Sequence, residues 1–268
     1  MEKQGEIFTF GFMAYGVKVG IKTNSLMFHN RVRSEISTIL PVEIFKSHFE
    51  EAEHIIILSD LDLQGFEVEI VQSETFRTFD KESAFQFFVR NVRTLIAEFA
   101  VAKVVLHAGV VSINGKALLL PAKSRHGKSS LVAALIGSGA DYYSDDFAVL
   151  DEDGLVHPFP KMISLRSGVN SFVQEDHSIE KFGCQIGDRP VPVGLVLITE
   201  FESNAIWDPK TISPSQAIME ILPHTIPIRR NPEFALSVLN KVLSRAIILK
   251  SKRPDASAII SYIKTLLN

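Results

Sequence analysis

Hydrophobic and polar positions alternate with a period of two near the start of the chain. Val17, Val19 and Ile21 fall on one face and Lys18 and Lys22 on the other, after a shorter run at Ile7-Phe8-Thr9-Phe10. Successive side chains of a strand point to opposite faces, so this is the pattern of half-buried antiparallel strands. Thr23-Asn24-Ser25 reads as a turn, Pro41 to Glu53 as a short strand or helix with its acidic side in water, and Ile55 to Leu58 as a strand. Alternation returns between Gly65 and Gln72, through Phe66, Val68 and Ile70. Residues 1–79 are thus expected to form a small β-rich lobe. It carries no catalytic grouping, and its role as scaffold or as a partner-recognition surface stays open.

The period then changes. Phe85, Phe88, Val92, Leu95, Ile96, Phe99 and Val101 recur at helical spacing behind Asp80, a good N-cap, and predict a helix over Lys81 to Lys103. The strand Val104 to Val111 comes next. Asn114-Gly115 is a two-residue hairpin turn that returns the chain as the strand Lys116 to Leu120. After Pro121 comes a loop, Ala122 to Ser129, then a helix from Ser130 to Ile136 stopped by Gly137 and Gly139. A second hairpin pairs Phe147–Leu150 with Leu155–His157, and Asp145-Asp146 stand at its entrance. Lys161 to Arg166 predicts a strand, Phe172 to Asp188 a flexible loop, and Pro192 to Glu200 a buried strand. A linker covers Asp208 to Ser215. Helices are expected over Ser215–Leu222 and Pro232–Leu243, a strand over Ala246–Leu249, and a last helix through Leu267 capped by Asp255. The fold class is α+β, with residues 80–268 as a second domain.

Composition narrows the picture little. Hydrophobic residues make up 46% of the 268, enough for a large core, and the net charge of −3 gives no reason to expect nucleic acid or an anionic membrane as partner. Cys184 is the only cysteine, so no internal disulfide forms, which fits a reducing cytoplasm. The first residues lack an apolar signal core, and no apolar run approaches the roughly 18 residues that cross a bilayer. A cytoplasmic location is expected, and homo-oligomerisation is left open.

The chemistry concentrates in the loop. Strand, loop and helix is the setting of a phosphate-binding loop, in which backbone N–H groups converge on phosphate oxygens. Ser124, Arg125, His126, Gly127, Lys128, Ser129 and Ser130 are the nucleotide-binding candidates. Gly127 lets the backbone approach without a Cβ, Lys128 can reach the β- and γ-phosphates, and the Ser129 hydroxyl can ligate Mg²⁺. The pattern G-x-x-x-x-G-K-[ST] is met except at Ala122, which replaces the first glycine and needs a negative φ. Magnesium on a nucleotide wants a carboxylate, and an acceptor hydroxyl wants one to take its proton; Asp145 and Asp146 supply the pair. Adjacent strand residues face opposite ways, so both serve one site only if the backbone is irregular there. Arg166 reads either as a cation for the transferred phosphate or as an ordinary surface arginine.

His107-Ala108-Gly109, the loop entered from a hairpin, Gly127-Lys128-Ser129-Ser130, the helix ended by Gly137 and Gly139, and Ser144-Asp145-Asp146 together resemble the HPr kinase/phosphorylase family. The likeness is tight over residues 104–150 and spans about 80–268. It implies a P-loop core akin to phosphoenolpyruvate carboxykinase, with a largely antiparallel or mixed sheet. It also implies ATP and Mg²⁺ as cofactors, and serine phosphorylation of a peptide or protein. Length and layout are similar to stand-alone relatives that phosphorylate the C-terminal serine of lasso peptide precursors. Carried over by position, Lys128 holds the phosphates, Ser129 and Asp146 the metal, and Asp145 is the base, with the two Asp roles open to exchange. His107 sits by the phosphates or in the core. The acidic, Gly-rich stretch that bifunctional HPr kinases carry further on has no counterpart in Arg166 to Asp176, where Glu175 is the nearby acid; this departure bears on HPr as substrate and on phosphorylase activity. A kinase of free serine or another small hydroxyl metabolite, and a nucleotide-binding regulatory module without turnover, are the alternatives.

Overall fold

The computed structural model describes residues 6–122, 127–166 and 174–268, with residues 166 and 174 as backbone only. Contacts divide the chain into two compact units, Met1–Val101 and Ala102–Asn268. The boundary therefore falls after the aromatic helix rather than before it, because that helix packs on the sheet of the first unit.

The first unit is a six-stranded sheet with helices. β1 (Phe8–Ala14) and β2 (Val17–Thr23) form a hairpin turned by Tyr15 and Gly16, both at positive φ. α1 (Leu26–Ile39) leads to β3 (Phe45–Lys46), β4 (His54–Asp60), β5 (Phe66–Ile70) and β6 (Thr75–Thr78), in the spatial order β3-β1-β2-β4-β5-β6. Between Pro41 and Glu53 the chain forms only two-residue β3 and the single 3₁₀ turn Phe49–Glu51. α2 (Lys81–Phe99) starts where expected: the Asp80 carboxylate accepts from the N–H groups of Glu82 at 3.3 Å and Ser83 at 2.9 Å. It ends short of Val101, which is exposed and outside the apolar stripe. Phe28 of α1 stacks parallel to Phe85 of α2 with ring centres 6.5 Å apart, and Arg31 lies over the Phe85 ring while gripping Glu82 with both terminal nitrogens. The lobe is thus an α+β layer rather than sheet alone.

The second unit is an eight-stranded mixed sheet. β7 (Lys103–Ile113) and β8 (Lys116–Pro121) form the expected hairpin, with Asn114 and Gly115 both at positive φ in its turn. α3 (Lys128–Gly137) comes after it, then β9 (Asp141–Ser144), β10 (Phe147–Asp151), β11 (Leu155–His157) and β12 (Ile163–Arg166). β13 (Gln174–His177) pairs with β12 where a loop is expected. The remaining elements are β14 (Val191–Phe201), β15 (Lys210–Thr211), α4 (Pro214–Ile221), α5 (Pro232–Arg245), β16 (Ile247–Arg253) and α6 (Ile260–Leu267). Asp255 precedes a 3₁₀ turn ahead of α6 and makes no capping bond with its side chain.

The sheet runs β11-β10-β7-β8-β14-β16-β15, with β9 beside β7 and β11 also pairing β14. The strand that feeds the loop, β8, is antiparallel to β7 on one side and parallel to β14 on the other. Its side chains alternate accordingly. Ala117 and Leu119 enter a core shared with α4 and α5, while Leu118 and Leu120 enter one shared with α3 and α6. On β7, Val104, Leu106, Ala108 and Val110 enter the first core and Val111 and Ile113 the second, in unbroken alternation; the register with β9 shifts between Val110 and Val111, where a bulge leaves Tyr143 of β9 as the extra residue. That bulge adjoins Gly109, on which the first turns of α3 pack.

Gly109 fixes how closely α3 lies on β7. A Cβ there would sit 2.7 Å from Cγ2 of Val132 and 3.1 Å from Cγ of Lys128. Val132 is fully buried and β-branched, so it has little room to yield. Gly109→Ala is expected to overpack this contact and cost about 1–3 kcal/mol in a urea titration; an unchanged midpoint would contradict the tight fit.

Candidate functional site

α3 begins immediately after Gly127, whose φ of +79° lies in the left-handed region. A Cβ at Gly127 would lie 2.5 Å from Nη2 of Arg253, so glycine is needed for space as well as for conformation. Arg253 closes the turn from behind: at 2% exposure it donates from Nη2 to the Gly127 carbonyl over 2.7 Å and from Nη1 to the Pro254 carbonyl over 3.0 Å. Ala122, at the other end of the loop, is buried and avoids positive φ, as its side chain requires. Ser124, Arg125 and His126 lie outside the described residues.

The first turn of α3 is left open to an anion. Among the described residues no side chain caps it, and it holds no acidic residue, whereas α4 and α5 in the same unit are capped by Ser213 and Asn231. The N–H groups of its first turn and the helix dipole favour negative charge at this end. Lys128 and Ser129 belong to this turn, with Ser130 exposed beside them.

Asp145 and Asp146 fall in a bend between β9 and β10, outside either strand. The buried Ser144 hydroxyl accepts from the N–H groups of Asp146 at 3.2 Å and Phe147 at 3.0 Å, and the Asp146 carbonyl accepts from Ala108 N–H at 3.0 Å. These bonds hold the irregular backbone that lets neighbouring carboxylates share one site. Their surroundings differ sharply. Asp145 is 2% exposed. Its Oδ2 accepts from the Ser129 hydroxyl at 3.2 Å and from Ser164 N–H at 3.3 Å, and its Oδ1 is paired with Lys161 Nζ at 3.0 Å. The Tyr142 hydroxyl donates to the Lys161 carbonyl over 2.9 Å and lies 3.4 Å from Asp145 Oδ1. Burial, reinforced by the Asp145 charge, pushes the Tyr142 phenol far up, so it stays protonated.

Asp146 faces outward, with its side chain 37% exposed. Its Oδ1 is 3.8 Å from Lys128 Nζ and 3.9 Å from His107 Nδ1. Burial works against its ionisation, but His107, Lys161 and Lys128 outweigh that and hold the carboxyl well below the usual carboxylate range. Burial likewise pulls the Lys128 ammonium down, opposed by Asp146 and Asp145. His107 is half-exposed and tilted on Phe147 with ring centres 5.1 Å apart, so it belongs to the site and not to the core.

Gly127, Lys128, Ser129, Asp145, Asp146 and His107 are therefore brought together. Arg166 ends β12, its backbone opposite Gln174, and its side chain is outside the described part. Glu175 is exposed and lies 3.9 Å from His177. Lys161, Tyr142, Ser164 and Arg253 are site residues that no local motif announces. No protein-family model matches the chain. Nor does any curated protein match it.

Among the described residues, no group of three or more His, Cys, Asp or Glu side chains could hold a metal ion by itself. Magnesium at a nucleotide asks for less: one or two hard protein oxygens, the rest coming from phosphates and water. The adjacent Ser129 hydroxyl and Asp145 carboxylate, 3.2 Å apart, fit that demand.

Proposed function

We propose that residues 102–268 form a kinase domain that uses ATP and Mg²⁺ to phosphorylate a serine hydroxyl of a peptide or protein. The observation that carries this reading is the meeting of a helix N-terminus that no described side chain caps, bearing Lys128 and Ser129, with two carboxylates held in unlike surroundings. The resemblance of residues 104–150 to HPr kinase-like enzymes supports it, and a C-terminal serine like that of lasso peptide precursors is the acceptor it suggests.

The geometry supports a role for each residue. First-turn N–H groups and Lys128 bind the β- and γ-phosphates. Ser129 and Asp145 would hold Mg²⁺, which when bound neutralises charge on the phosphate oxygens. Asp146 is the base: it is ionised, open to an incoming hydroxyl and flanked by His107 and Lys128. This exchanges the two aspartate roles that the resemblance carried over. A buried carboxylate bonded to Ser129 and Lys161 has no access to an acceptor, whereas its neighbour does.

One observation favours a regulatory module without turnover: Lys161 already neutralises Asp145. Incubation with ATP, Mg²⁺ and either serine-ending peptides or free serine, with intact mass as the readout, tests the kinase reading. A phosphoryl gain on a peptide is the expected result. A gain on free serine alone would indicate a metabolite kinase, and nucleotide binding without transfer or hydrolysis would indicate the regulatory module.

A further inference from the structure

Lys161 and Asp145 form an ion pair buried at 10% and 2% side-chain exposure. Removing two charges from water is costly, and such a pair adds little stability compared with apolar residues of the same size. Its position is therefore more informative than its strength. The ammonium sits on Oδ1 of the carboxylate whose Oδ2 the Ser129 hydroxyl touches, so a compact cation already compensates the charge that a nucleotide-bound metal would use. The surroundings hold it there. Lys161 lies just before β12, its carbonyl accepts from Tyr142, and the Ser164 N–H on the same strand grips the other oxygen of Asp145.

We propose that Lys161 is a tethered stand-in for Mg²⁺, compensating the charge of the Asp145 carboxylate in the nucleotide-free protein and giving it up when metal and nucleotide arrive together. The exchange rests on the kinase reading for the metal's place at Ser129 and Asp145, but not on turnover. Metal and ammonium compete for one carboxylate, so each weakens the other's hold on it. The metal is accepted only with the phosphates that complete its shell, which ties Mg²⁺ uptake to nucleotide and keeps free divalent cations out. The displaced ammonium remains tethered beside Asp146 and Lys128, whose charges it already influences.

The test measures Mn²⁺ by electron paramagnetic resonance in the presence of β,γ-imido-ATP, which binds but does not transfer. Wild type is compared with Lys161→Met and Lys161→Gln. Both variants are expected to bind Mn²⁺ on the order of tenfold more tightly, since the competitor is gone. They are also expected to melt earlier than wild type in EDTA, having an uncompensated buried carboxylate, and to gain more melting temperature than wild type when Mg²⁺ and the analogue are added. A merely structural ion pair would give the first loss without the larger metal-dependent recovery. Equal or weaker Mn²⁺ affinity in both variants, with binding intact in wild type, overturns the exchange alone. Absence of Mn²⁺ binding in all three proteins overturns the metal site itself, and the exchange with it.

Discussion

Replacing Asp146 with Asn is expected to lower the turnover number about 10²- to 10⁴-fold, the range that a positioned general base supplies. Asparagine keeps the shape of the side chain and can still face Lys128 and His107, but it cannot take a proton. Nucleotide affinity should hold, because Asp146 makes no bond to Ser129 and its carbonyl, which ties the bend to Ala108, is unchanged. Asp145→Asn should fail differently. It weakens the metal ligand and leaves the buried Lys161 without its carboxylate partner, so the Mg²⁺ concentration for half-maximal rate rises and stability drops. Transfer assays across a Mg²⁺ titration separate the two. If instead Asp146→Asn shifts the Mg²⁺ requirement and Asp145→Asn lowers turnover at saturating metal, the carboxylate roles revert to those the resemblance implied.

Lys128→Met is the second large effect. Its side chain is 13% exposed, and its stem lies on the bare backbone of Gly109. Methionine of similar length keeps that packing while deleting the charge. Phosphoryl transfer is catalysed by placement and charge compensation, and removal of one such donor costs about 10²- to 10³-fold in turnover. The unfolding midpoint is expected to stay near wild type, because what is lost is a cation whose own burial is unfavourable. Single-turnover measurements with saturating ATP read the effect directly. Wild-type turnover in this variant would remove Lys128 from the mechanism.

What local pattern encodes was legible. Asn114-Gly115 fixes a tight turn by its backbone preferences alone, and the Phe85, Phe88, Val92 and Ile96 stripe fixes a helix face. The Asp pair implied an irregular backbone, and the bend held by Ser144 supplies it. Helix α1 carries a similar stripe in Phe28, Val32, Ile36 and Ile39, but polar residues dilute it and Ser25 makes no capping bond to mark its start. Strand β13 is short and polar, and exists through pairing with β12 rather than through any periodicity of its own. Lys161 and Arg253 were beyond reach for a different reason. Neither sits in a motif, and each gains its role from a partner brought near only by the sheet.

The Arg253–Gly127 bond joins positions 126 residues apart, and that distance sets an order of events. A chain leaving the ribosome exposes Gly127 and α3 long before Arg253 emerges at the end of β16. Until then the turn ahead of α3 lacks the guanidinium that closes it from behind. Non-local pairings of this kind form late, once the loop closures they require have been made. On the kinase reading, a nucleotide would therefore meet a turn closed from behind only once β16 has been made.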